Sequence, residues 1–118
     1  MIVIVEDQPE VRLLLQEYFK ALGKQVQVYA SAEDAADDFG QLQRQEISTI
    51  ISDYTLPGNN GIDFIQQAKV QLNPLLCMLI SGHLPDTVPE DIVAVAKPFR
   101  PSALYQTMNV HLEKLAQV

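Results

Sequence analysis

Five short runs rich in β-branched residues lie along the chain, and all but the fourth give way to a longer segment whose apolar residues recur at helical spacing. That alternation admits few folds, because such runs, each followed by a helix, pair side by side in a parallel sheet with helices on both faces. The runs fall at residues 2–5, 26–29, 47–52, 76–81 and 92–96. Three of them are nearly continuous apolar stretches, the pattern of strands covered on both faces, and the first, third and fourth are expected at the centre of the sheet.

The intervening segments carry helix punctuation. The first helix has Pro9 at an early position, apolar residues Val11, Leu14, Leu15, Tyr18, Phe19 and Leu22, and Gly23 where a left-handed cap would sit. The second opens on Ser31 with Asp34 three residues on, resembling a capping box, and is expected to bury Ala35, Ala36, Phe39 and Leu42, with Gly40 weakening its interior. The third is expected over residues 62–72, stopped by Asn73 and Pro74. The last follows Pro101 and carries Leu104, Met108, Leu112 and Leu115. Residues 82–91 break the pattern, since Pro85 and Pro89 leave room for one helical turn at most.

A length of 118 residues supports one sizeable core, so a single domain over residues 1–118 is expected. The net charge of −7 repels nucleic-acid phosphates and anionic lipid, arguing against direct contact with either. The lone Cys77 lies in an apolar run and reads as a small core residue. The apolar start stops at Glu6 after five residues, too short for a signal-peptide core or a membrane span, and a cytoplasmic protein is expected.

In an open parallel sheet, binding groups gather at the carboxyl ends of the strands. Glu6 and Asp7 follow the first strand, Asp53 the third and Lys97 the fifth, while Ser81 ends the fourth, so five polar groups distant in sequence converge on one edge. Each has a bland alternative: an acid at a helix start, a turn acid, a hydroxyl cap, a solvated lysine. Together, at these strand ends, the bland readings compete poorly. Close carboxylates repel one another, and a hard divalent cation resolves the repulsion. Oxygen donors without His or Cys favour Mg²⁺ or Mn²⁺ over zinc. An aspartate beside such an ion can act as a nucleophile on phosphorus, with Lys97 and Ser81 as donors to the phosphoryl oxygens.

Acidic residues after the first strand, Asp53-x-x-Leu56-Pro57-x-x-x-Gly61, Ser81 and Lys97-Pro98-Phe99 together resemble the receiver domains of two-component response regulators over nearly the whole chain. The resemblance implies a three-layer, doubly wound, flavodoxin-like fold with strand order 2-1-3-4-5. It implies Asp53 as phosphoacceptor, served by a histidine kinase or phosphotransfer protein and acting on a downstream protein or linked output. It further implies Asp7 and Asp53 as Mg²⁺ ligands, Glu6 acting through water, the Thr55 carbonyl as a ligand, and a Lys97-Pro98 bond that can be cis. By the same analogy Thr55 and His83 flank the phosphoryl site and set the phosphate lifetime.

Two departures stand out. Receivers commonly carry an aromatic residue three positions before the conserved lysine, where this chain has Ala94. Ser81 and Lys97 are also only 16 positions apart (97 − 81), so the fourth helix is expected to be shortened or missing. A pseudo-receiver, keeping the fold as an interaction domain without phosphorylation, is the main alternative. A haloacid-dehalogenase-like phosphatase fits less well, because the acid it needs two residues after the nucleophile is Thr55. A flavodoxin-like nucleotide binder fits poorly too, since Glu6-Asp7-Gln8-Pro9 would repel phosphate.

Overall fold

In a computed structural model describing residues 1–116, the elements run β1 (Ile2–Val5), α1 (Pro9–Ala21), β2 (Val26–Tyr29), α2 (Ala32–Asp37), α3 (Phe39–Leu42), β3 (Thr49–Asp53), β4 (Thr55–Leu56), β5 (Asn59–Asn60), α4 (Gly61–Leu72), β6 (Leu76–Ser81), β7 (Ile92–Ala96) and α5 (Pro101–Ala116). Strands β2-β1-β3-β6-β7 form one sheet in that order, every pair parallel. With the short β4–β5 hairpin set aside, this is the doubly wound order 2-1-3-4-5. Strands β1, β3 and β6 are buried along their whole length, whereas β2 and β7 are partly exposed at the edges.

The alternating side chains of the central strands feed two cores. Val3, Val5, Ile50, Cys77 and Leu79 pack with Ala35, Phe39, Phe64 and Ile65 from α2, α3 and α4. Ile2, Ile4, Ile51, Met78 and Ile80 pack with Leu15, Phe19, Leu104 and Met108 from α1 and α5. Helix caps fix where these helices start and stop. At the end of α1, Gly23 takes φ +76°, and the amides of Gly23 and Lys24 return to the carbonyls of Lys20 (2.9 Å) and Phe19 (3.0 Å), a Schellman closure. Asn60 caps α4 by accepting from the Asp63 amide at 2.9 Å, and Ser31 caps α2 from the Asp34 amide at 3.0 Å.

The structure departs from the sequence reading in several places. The second helix is two pieces that meet at Asp38, whose carboxylate accepts from the Tyr29 hydroxyl; that tether and the weak helix former Gly40 explain the break. The third strand lies two positions later at its start, Thr49 rather than Ile47. The chain after Asp53 turns through a short hairpin, with Pro57 and Gly58 (φ +70°) at the corners of a type II turn. Leu14, Leu22 and Leu115 of the apolar helix stripes are exposed. Residues 82–91 contain no helix, not even the single turn their prolines leave room for, and Leu84 and Val88 pack from this segment against the core.

Candidate functional site

The strand order reverses between β1 and β3, so the chain leaves these two neighbours in opposite directions and opens a crevice at their carboxyl ends. Glu6, Asp7 and Asp53 meet there, each able to place one carboxylate oxygen within 4.8 Å of the others. Ser81 ends β6 beside Asp53, and Lys97 follows β7, its amide held to the Ser81 carbonyl at 2.8 Å. Asp7, Gln8, Asp53, Thr55, Ser81, Gly82, His83 and Lys97 line a cleft of about 310 Å³. All seven residues singled out from the sequence therefore surround or floor one crevice.

Lys97 is the electrostatic centre. Its ammonium donates to Glu6 Oε1 at 2.6 Å, Asp53 Oδ2 at 3.1 Å and Gln8 Oε1 at 3.2 Å. Burial opposes the charged form of Lys97, but the Glu6 and Asp53 carboxylates outweigh it and raise the lysine pKa. Glu6 is fully buried. Burial first, and then the adjacent Asp53 carboxylate, push its pKa up to about 8 against the pull of Lys97. One ammonium does not offset three carboxylates, and Glu6 Oε2 is buried without a hydrogen-bond partner. Oxygen-only donors, excess negative charge and an orphaned carboxylate oxygen together suit a hard divalent cation.

Backbone geometry keeps these groups in place. The Tyr54 amide donates to the Ile80 carbonyl at 2.9 Å, and the Gly61 amide to the Tyr54 carbonyl at 2.7 Å. A Cβ at Gly61 would stand 2.0 Å from the Asp53 carbonyl oxygen and 2.9 Å from Leu79 Cδ1, so glycine is required for α4 to begin against the floor of the site. The Lys97-Pro98 peptide is cis. The Ser81 hydroxyl both donates to the His83 carbonyl and accepts from the His83 amide, each at 3.0 Å.

Sequence reasoning missed two residues. Arg12 reaches from α1 to the Glu6 carbonyl at 2.9 Å and pins the acidic loop. Gln8 was visible only as an oddity, since glutamine is not a favoured residue at a helix N-cap. Arg12 left no signal, because an arginine one turn into a helix is ordinarily a solvated charge.

Residues 2–109 match the family model described as the response regulator receiver domain. The chain is 32% identical to the aerobic respiration control protein ArcA of Escherichia coli, over 87% of this chain and 44% of ArcA. It is 28% identical to the hydrogenase transcriptional regulatory protein HoxA of Cupriavidus necator, over 95% of this chain and 24% of HoxA. The chain thus spans less than half the length of these curated relatives. Among solved structures it resembles the receiver domain of the hybrid histidine kinase CckA, with 26% identity, TM-score 0.79, and coverage of 94% of this chain and 97% of that one. A CheY-like receiver from Methanospirillum hungatei superposes with TM-score 0.85 at 16% identity, covering 98% of this chain and 95% of that one, and speaks for the fold alone. The chain belongs to the response regulator receiver domain family of two-component signalling.

Proposed function

We propose that this receiver accepts a phosphoryl group on Asp53 in a Mg²⁺-dependent reaction and that the resulting change at the site controls a partner or linked output. The observation that carries the reading is the placement of Asp53. It is 5% exposed at the floor of an open cleft, beside two other carboxylates and 3.1 Å from the Lys97 ammonium. An Asp53 carboxylate oxygen forms the new O–P bond as the P–N bond of a donor phosphohistidine breaks, its electron pair leaving with the imidazole. Lys97 donates to the phosphoryl oxygens. Asp7 and Asp53 would hold the cation directly, Glu6 through water, and the Thr55 carbonyl would complete the protein's share. The bound ion would draw off the charge that accumulates on Asp53 and the entering phosphoryl oxygens; Mn²⁺ would serve the same role.

Thr55 and His83 stand at the rim of the cleft, where their side chains would govern the approach of water and so the lifetime of the aspartyl phosphate. The domain is a phosphoacceptor that assists only its own phosphotransfer and hydrolysis. A cytoplasmic histidine kinase or phosphotransfer protein is the donor this chemistry needs, with all 118 residues acting as one receiver unit. Among the described residues no helix is long and apolar enough to cross a membrane.

The output route differs from the family pattern. Position 94 carries an exposed alanine, and residues 82–91 have no helix to shift. The Ser81 hydroxyl is instead bonded both ways to the backbone of His83, at the start of that segment. A Ser81 that turns toward the phosphoryl group releases this latch, and the change passes into residues 82–91. Backbone NMR with Mg²⁺ and beryllofluoride should place the largest shifts there, and shifts that leave the segment untouched would defeat this route.

The missing helix also favours a pseudo-receiver as second reading. Acetyl phosphate with Mg²⁺ and intact-mass spectrometry separates the two. The wild type should gain about 80 Da and Asp53→Asn, equally folded, should gain none. A wild type without the added mass leaves the pseudo-receiver standing.

A further inference from the structure

Lys97 has three N–H donors, and the structure fills all three. For the lysine to reach a phosphoryl oxygen, one of these bonds has to yield. We propose that Gln8 is a positioning residue that holds the third N–H of Lys97 in the resting site and surrenders it to the phosphoryl oxygen. The inference rests on the phosphoacceptor reading of Asp53 and adds the device that readies its lysine.

Three observations select Gln8. The bond to Glu6 is the shortest at 2.6 Å and joins a buried carboxylate to the ammonium, while the bond to Asp53 joins a second charged pair. The bond to Gln8 is the longest at 3.2 Å, and its acceptor is a neutral amide on an exposed residue. All three bonds have an ionised donor, but only those to Glu6 and Asp53 add the attraction of an opposite charge, so the Gln8 bond yields first. Gln8 also occupies the N-cap of α1 without capping it: its side chain makes no bond to the helix amides and goes to Lys97 instead. Finally, Gln8 lines the same cleft as Asp53 and Lys97, so the N–H it holds lies beside the volume a phosphoryl group would enter.

A resting acceptor competes with the incoming anion. Removing it leaves only water to be displaced, and beryllofluoride should bind more tightly. The test measures the beryllofluoride Kd by NMR titration in excess Mg²⁺ for the wild type, Gln8→Ala and Gln8→Ser. Both variants should bind about three- to tenfold tighter, the net worth of one typical hydrogen bond at a solvent-exposed position. Serine at an N-cap stabilises a helix where alanine does not, so urea unfolding should rank Gln8→Ser above Gln8→Ala while their affinities stay equal. Affinities that follow helix stability, or variants binding no tighter than the wild type, would overturn the role of Gln8 alone. A wild type that neither binds beryllofluoride nor gains mass from acetyl phosphate would overturn the phosphoacceptor reading, and this inference with it.

Discussion

Two connections cross the carboxyl edge of the sheet, and they are built in opposite ways. Residues 54–60, between β3 and α4, are folded tightly. They hold a hairpin with a type II turn, an amide bonded across to the Ile80 carbonyl, and an asparagine cap, and they deliver the chain to a glycine in contact with the Asp53 backbone. Residues 82–91, between β6 and β7, hold two prolines and no helix. They are fastened by the Ser81–His83 bonds at one end, by the Lys69–Asp91 ion pair at the other, and by Leu84 and Val88 between. The first connection fixes the geometry of the phosphoacceptor. The second is free to answer a change there, since a segment with few buried contacts and few backbone hydrogen bonds opens at low cost.

The largest test of this contrast is Gly61→Ala. Its new Cβ meets backbone at 2.0 Å, where no side chain can give way. A loss of about 3 kcal/mol in urea unfolding is expected, together with loss of acetyl phosphate labelling at Asp53. A variant with wild-type stability and labelling would show that the tight connection is not required. Truncating the other connection should be milder. Leu84→Ala and Val88→Ala each remove a partly buried side chain, and about 1 kcal/mol or less is expected, with labelling retained.

Cys77 offers a probe of how readily the loose connection opens. It lies in the core that Leu84 and Val88 help cover and is paired in register with Ile92 at the segment's far end. Burial pushes its thiol pKa up to about 11 from the ordinary 9.0. Alkylation of the native protein should therefore be very slow near neutral pH, and should proceed through openings of lower free energy than global unfolding. Equal opening and unfolding energies would make the segment part of the rigid body. The linkage sign also follows. The unfolded thiol loses its proton first, so the Cys77 contribution to stability is present below pH 9 and falls as pH rises toward 11.

The smallest effect is expected at the ion pair. Lys69 and Asp91 are both solvent-accessible, with side chains 34% and 48% exposed. Lys69→Ala should cost about 0.5 kcal/mol or less in urea unfolding. A larger loss would mean that the segment is held mainly from its far end rather than by Leu84 and Val88.

The sequence by itself determined the layer order of the molecule and the edge where its chemistry lies. Period-two and period-3.6 patterns are local consequences of strand and helix geometry, and β-branched runs alternating with helices call for a parallel sheet with helices on both faces. Glu6, Asp7, Asp53, Ser81 and Lys97 were legible for the same reason, because each sits at or just past the end of a run that could be read as a strand. That residues 82–91 could hold one helical turn at most was legible from two prolines. Other features were settled only in three dimensions. Asp38 splits the second helix through a tyrosine on a neighbouring strand. Gly61 is a glycine because the Asp53 carbonyl occupies the space a side chain would need. Gln8 meets a lysine 89 residues away. Contacts between distant segments follow from how the sheet is wound, and no local periodicity records them. What tertiary structure added to Asp53, therefore, is its surroundings: a filled lysine, an orphaned carboxylate oxygen on Glu6, and one rigid and one yielding connection on either side.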